Sequence, residues 1–179
     1  MSKKFMLTAF SKDRPGIVAD ISQIIYENGY NLEDSAMTNL AGEFAIILLF
    51  SPLSAGEETE LEEKLSMECR RLEREKGITA FIRPISHEER KPKADYYAKN
   101  LHVEGQDQAG IVYKVSRFLA DSNINITSLN SEVKFSPESG IAIYSMALSV
   151  EIPTEISLHT VEDGLSRIGD QLNVDVTIE

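Results

Sequence analysis

Phe5 to Phe10 is a short, mostly apolar run, and it predicts a strand buried on at least one face. Ser11 to Arg14 is polar and predicts a turn. The period then changes. Ile17, Ile21, Ile24 and Ile25 return at helical spacing, so one side of a helix is expected to pack on a sheet. Pro15 suits the first helical turn, where its missing N–H is no loss, and Gly29 suits a left-handed stop. Residues 31–40 predict a second strand, Ala41-Gly42-Glu43 a turn, and Phe44 to Phe50 a third strand. After a loop over 52–56, Leu61, Leu65, Cys69 and Leu72 mark one face of a helix over 57–76. Gly77 precedes a fourth strand over 78–85, which completes the order βαββαβ.

The order then starts again. Residues 98–104 predict a strand, and Ile111, Val115, Phe118 and Leu119 a helix face. Residues 124–135 and 141–152 predict two strands around a longer turn, Pro153-Thr154 the start of a helix, and 173–178 the last strand. The two halves align at a constant offset of 94: Asp13 with Asp107, Gly16 with Gly110, Ser22 with Ser116 and Asn31 with Asn125. With Ile17/Ile111 and Val18/Val112, six positions are identical between residues 13 and 31, where ordinary composition gives about one. Gly29 aligns with Asn123, the other residue type that tolerates a left-handed backbone. This is an internal duplication.

The expected class is α+β: two ferredoxin-like βαββαβ domains in tandem, each with two helices on one face of an antiparallel sheet. The expected boundaries are 1–86 for the first domain, a charged, proline-containing linker over 87–96, and 97–179 for the second.

Charge and cysteine content narrow the functions. The net charge of −11, from 29 acidic and 18 basic residues, opposes nonspecific binding to nucleic acid or anionic membrane. One cysteine permits neither an intrachain disulfide nor a CxxC motif. No run approaches the ~20 apolar residues of a membrane span, and the start does not read as a signal peptide. A cytoplasmic protein is expected.

The repeated turn is the candidate site. A helix start offers unpaired N–H groups and the positive end of a dipole, which suit a carboxylate. Gly16 and Gly110 would let a ligand approach the backbone. Asp13 and Asp107 could receive an ammonium group, or simply cap the helix. Asn31 and Asn125 open the next strand, expected close to the turn, and an amide both donates and accepts. Together these groups match the two ends of a free amino acid.

"DRPGIV" with "NGYNL", "DQAGIV" with "SNINI", and the βαββαβ order resemble the ACT domain, once in each half. The second copy is looser, since Arg14-Pro15 become Gln108-Ala109. The resemblance implies a regulatory module that binds an amino acid at interfaces between paired domains. It implies a candidate set of Asp13, Arg14, Pro15, Gly16, Ile17, Val18 and Asn31, with Asp107, Gly110, Ile111, Val112 and Asn125. A chain of two such domains looks most like the glycine cleavage system transcriptional repressor group. That implies glycine or a similar amino acid as signal and a protein partner, either a transcription regulator or an enzyme of amino-acid metabolism. The implied protein is non-catalytic and has no cofactor, metal or direct nucleic-acid contact. A homodimer is expected from the unpaired sheet edges.

Two competing classes have weaker support. An enzyme would need a constellation around His87, His102 or His159, and no nucleophile or metal pattern accompanies them. Cys69 lies on an apolar helix face and reads as a core residue. An RNA-recognition module shares the element order, but Phe5, Phe10, Phe44 and Phe50 stand in no basic context.

Overall fold

The structure is a computed structural model that describes residues 4–53, 58–85, 95–135 and 140–179, without the side chains of 58–62. The chain divides into two compact units, Met1–Arg90 and Lys91–Glu179. The first contains β1 (Lys4–Lys12), α1 (Ile17–Glu27), β2 (Tyr30–Leu40), β3 (Glu43–Pro52), α2 (Glu58–Lys76) and β4 (Thr79–Ile85). The second contains β5 (Tyr96–Gln106), α3 (Ile111–Asp121), β6 (Asn125–Phe135), β7 (Ala142–Pro153), α4 (Leu158–Leu172) and β8 (Val174–Ile178). Of the expected linker, residues 87–94 lie outside the described residues, and Tyr96 already belongs to β5.

Each unit is one antiparallel sheet of four strands, in the orders β2-β3-β1-β4 and β6-β7-β5-β8. This is the expected α+β, ferredoxin-like βαββαβ fold, present twice. Strand alternation decides what is buried. Phe5, Leu7 and Ala9 on β1, and Phe44, Ile46, Leu48 and Phe50 on β3, point to the helices. There they meet Ile17, Ile21, Ile24 and Ile25 of α1 and Leu65, Cys69 and Leu72 of α2. The phenylalanine rings of Phe5 and Phe50 stack at 5.8 Å, and Tyr30 closes on Phe50 edge-on at 5.2 Å. In the second unit Leu101, Val103, Met146 and Leu148 meet Ile111, Val115 and Leu119 of α3 and Val161 and Leu165 of α4.

The duplication extends to details of the backbone. The bulge between Leu32 and Asp34 recurs between Ile126 and Ser128, at the same offset of 94. The amide bond Gly29 N–H to Tyr26 C=O recurs as Asn123 N–H to Ala120 C=O. Gly29 and Asn123 both take the left-handed backbone expected of them, with φ of 75° and 55°.

One helix start differs from expectation. Pro153 ends β7 opposite Tyr96, and α4 begins only at Leu158. A proline missing its N–H fits the last residue of a strand as well as the first turn of a helix. Here Ile156 N–H bonds back to the Pro153 carbonyl, so a turn intervenes.

Two outcomes follow. Inside an ordinary helix, Gly→Ala stabilises by about 1 kcal/mol. At Gly164 of α4, however, a Cβ would lie 2.3 Å from the ring of Phe118 on α3. Overpacking of that kind costs about 1–3 kcal/mol, so Gly164→Ala should lower the melting temperature, and adding Phe118→Leu should recover most of the loss. Burial pushes the Cys69 thiol up to about 11. Ellman's reagent at pH 8 should therefore label the folded chain at least about a hundredfold more slowly than the urea-unfolded chain; equal rates would contradict the packing.

Candidate functional site

The turn after the first strand of each unit has the same backbone. Asp13 N–H bonds to the Gly42 carbonyl at 2.9 Å, and Asp107 N–H bonds to the Ala142 carbonyl at 3.0 Å. Gly16 and Gly110 are the N-cap residues, with left-handed φ of 86° and 100°. Any side chain would be strained there. The first helical bonds are Asp20 N–H to Gly16 C=O and Lys114 N–H to Gly110 C=O, both 2.9 Å. Because the cap is glycine, no cap side chain accepts from the N–H groups of the first turn. Ile17 and Ile111 are buried and anchor the turn, while Val18 and Val112 stay exposed beside it. Asp13, Pro15 and Asp107 are exposed as well.

The two turns differ in charge. Arg14 folds back over the first: its Nη2 is 2.6 Å from Asp20 Oδ2, and its Nη1 donates to the Pro15 carbonyl at 3.3 Å. Lys76 Nζ is 3.4 Å from the other Asp20 oxygen. The hydrogen bond from the Arg14 guanidinium holds the Asp20 carboxyl below the usual carboxylate range, and Lys76 adds to this. The stabilisation linked to that shift is whole above the ordinary aspartate value and is lost as pH falls through the lowered one. In the second unit Lys114 stands where the first has Asp20, and α3 has no acid in its first turn. Gln108 Nε2 donates to the Leu172 carbonyl and ties that turn to the end of α4.

Asn31 and Asn125 are not near the turns of their own units. Asn31 pairs with Ser51, whereas the turn follows Lys12, which pairs with Glu43 at the other end of the sheet. The separation is about 25 Å at strand rise. The cause is topological: α1 carries the chain back, so β2 starts level with the start of β1, with β3 between them. Asn125 Nδ2 donates instead to Glu151 Oε2 at 3.2 Å.

Sequence reasoning missed Asn39. It lies near the far end of β2 and its Nδ2 donates to Asp13 Oδ2 at 2.6 Å. Asp13 thus has a partner other than the helix it precedes. Val133 occupies the matching place in the second unit, so that contact exists once. A second difference is Tyr144, which replaces Phe44: its hydroxyl is buried with no hydrogen-bond partner among the described residues, and its neighbour across the ladder is Gly105, just before the second turn.

The remaining candidates stand apart from the turns. His102 is exposed on β5, and His159 is exposed with Nδ1 3.5 Å from Asp163. His87 and the side chain of Leu61 lie outside the described residues. Among the described residues no three histidine, cysteine or acidic side chains group as metal ligands, and no helix is long and apolar enough to cross a membrane.

Residues 3–79 match the sequence model of the ACT domain family. The UPF0237 protein MK1213 of Methanopyrus kandleri is 43% identical over 44 residues, which cover 25% of this chain and 49% of that protein. The chain thus spans about half the length of this curated relative. An unknown protein from Galdieria sulphuraria has a TM-score of 0.81 at 28% identity, covering 100% of this chain and 98% of that one. A candidate glycine cleavage system transcriptional repressor has a TM-score of 0.69 at 19% identity, covering 100% and 97%. Residues 3–79 thus match the ACT domain family by sequence, and the two units together share the fold of the two structures matched along their whole length.

Proposed function

We propose that this chain is a non-catalytic regulator that binds a small amino acid, glycine or similar, and controls a protein partner by contact. The observation that carries the reading is the twice-built turn, whose glycine cap leaves the first N–H groups of α1 and α3 without a cap side chain. A ligand carboxylate would take those N–H groups, and Asp13 or Asp107 would take its ammonium group. At the first turn the carboxylate would compete with Asp20 for Arg14. That exchange gives the turn two arrangements, which a ligand can bias. At the second, Lys114 makes the helix start more favourable to an anion. Asn31 and Asn125 belong to the site only if another ACT-type unit brings them to it.

The favoured partner is a transcription regulator of glycine cleavage, in line with the structural relative described as a candidate repressor of that system. The acidic balance supports action through protein rather than nucleic acid, in the cytoplasm. A second reading, the regulatory subunit or scaffold of an amino-acid-metabolism enzyme, is separated from the first by what native extract yields with and without glycine.

Calorimetry with glycine, serine and alanine should give saturable heat for one of them. At a hundredfold excess over Kd, binding adds about 2.7 kcal/mol, or about 10–20 °C in a domain of this size. Gly16→Val and Gly110→Val should each remove the response of their own turn, while Asn31→Ala should leave the first turn unchanged unless a second unit supplies that amide to it. No heat and no thermal shift with any amino acid would leave a scaffold without a ligand. Tyr144→Phe isolates the second turn. If its hydroxyl serves only packing, the variant gains about 1 kcal/mol with binding unchanged; if binding at the second turn falls, the hydroxyl meets the ligand.

A further inference from the structure

Each sheet has one face under its helices and one face that its own unit leaves bare. On the bare face of the first sheet, the register lines side chains up in rows across β2, β3, β1 and β4. One row reads Asp34, Leu49, Met6, Arg83. The next reads Ala36, Ile47, Thr8, Phe81. Ile47 is 46% exposed, Phe81 52%, and Phe10 in the third row 48%. An antiparallel sheet with one face in water ordinarily makes that face polar.

The second sheet supplies the comparison. Its register matches the first, so counterparts can be read directly. Asn100 stands for Met6, Glu104 for Phe10, and Asn130 for Ala36. Ser149 stands for Leu49, and Thr177 for Phe81. The same fold therefore tolerates a polar bare face. The apolar one on the first unit is not demanded by folding, and contiguous patches of this kind mark contact surfaces.

We propose that the bare face of the first sheet is a homodimer interface, packed on the same face of a second copy about a twofold axis that runs along the strands. Such a rotation reverses each row. Asp34 at the β2 edge then faces Arg83 of the second copy at its β4 edge, and this occurs twice. Leu49 and Met6 face Met6 and Leu49. The row acid–apolar–apolar–base is its own complement, as an isologous contact requires. An unrelated partner would not need that pattern. Among the described residues, neither Asp34 nor Arg83 forms an ion pair within its own chain; Asp34 Oδ1 accepts from Ser35 N–H, and Arg83 Nη2 lies 3.5 Å from Met6 Sδ. The charged tips are thus available at the rim of an apolar centre.

Size sets the strength. Four strands about 4.8 Å apart and three rows about 7 Å apart present about 400 Å² per copy. That is roughly half of what a standard stable interface uses, so the dimer is concentration-dependent, with Kd in the micromolar range or above.

Sedimentation of the full chain from about 1 µM to about 1 mM tests this, with circular dichroism to confirm that every variant folds. The wild-type chain should dimerise within that range. Ile47→Lys should raise Kd at least about tenfold, because it buries a charge at the centre. Asp34→Arg and Arg83→Asp each create two like-charge contacts and should each weaken the dimer by about three- to tenfold, while the two together should restore it to within about threefold. Ala147→Lys, the counterpart of Ile47 on the second sheet, should change nothing. A chain that stays monomeric at 1 mM, a dimer indifferent to Ile47→Lys, or a double variant as weak as the singles would overturn the proposal. So would a monomer that uses this face to hold a different protein.

Discussion

A four-stranded sheet has two faces, and each unit carries helices for only one of them. That constraint organises the rest. Alternate residues of the central strands must be apolar on the helix side, so Phe5, Leu7, Leu48 and Phe50 in one unit, and Leu101, Val103, Met146 and Leu148 in the other, form the cores. The helix that covers them must begin where the first strand stops. The turn that achieves this reversal needs a left-handed residue at Gly16 and Gly110. The geometry that closes the core therefore also leaves helix N–H groups at the surface. Structure and candidate site share the same few residues, and repetition alone could not separate the two roles.

Divergence between the copies is more informative than their likeness. The bulge and single amide bonds recur in both copies, yet the matching position on the first helix changes sign: Asp20, held by Arg14 and Lys76, in one and Lys114 in the other. The outer sheet faces diverge as well, apolar in one unit and polar in the other. Once duplicated, the two copies no longer need to meet the same demands beyond folding.

Much of this was legible in the sequence. Helical and alternating periods located most elements, because core burial imposes those periods directly. The offset of 94 gave the duplication, and the glycine turn stood out for its left-handed requirement. The failures have specific causes. Pro153 was read as a helix start because proline suits that place and a strand end equally. Asn31 was placed beside the turn because the direction in which a helix returns the chain is a property of topology, not of local pattern. Asn39 was hidden in an exposed edge strand where polar residues are ordinary. The contrast between the sheet faces was obscured because the longer second hairpin shifts the alignment of β3 with β7 to 100, so no single offset pairs all the counterparts.

The bulge at Glu33 and Thr127 has a further consequence. One extra residue resets the alternation of the outer strand, and this turns Asn39 to the side on which Asp13 waits. It also kinks the border of each sheet near its start, where an incoming chain would otherwise zip along without interruption. Along β2 and β6 both halves thus inherit the same break in the edge that an added strand would have to follow.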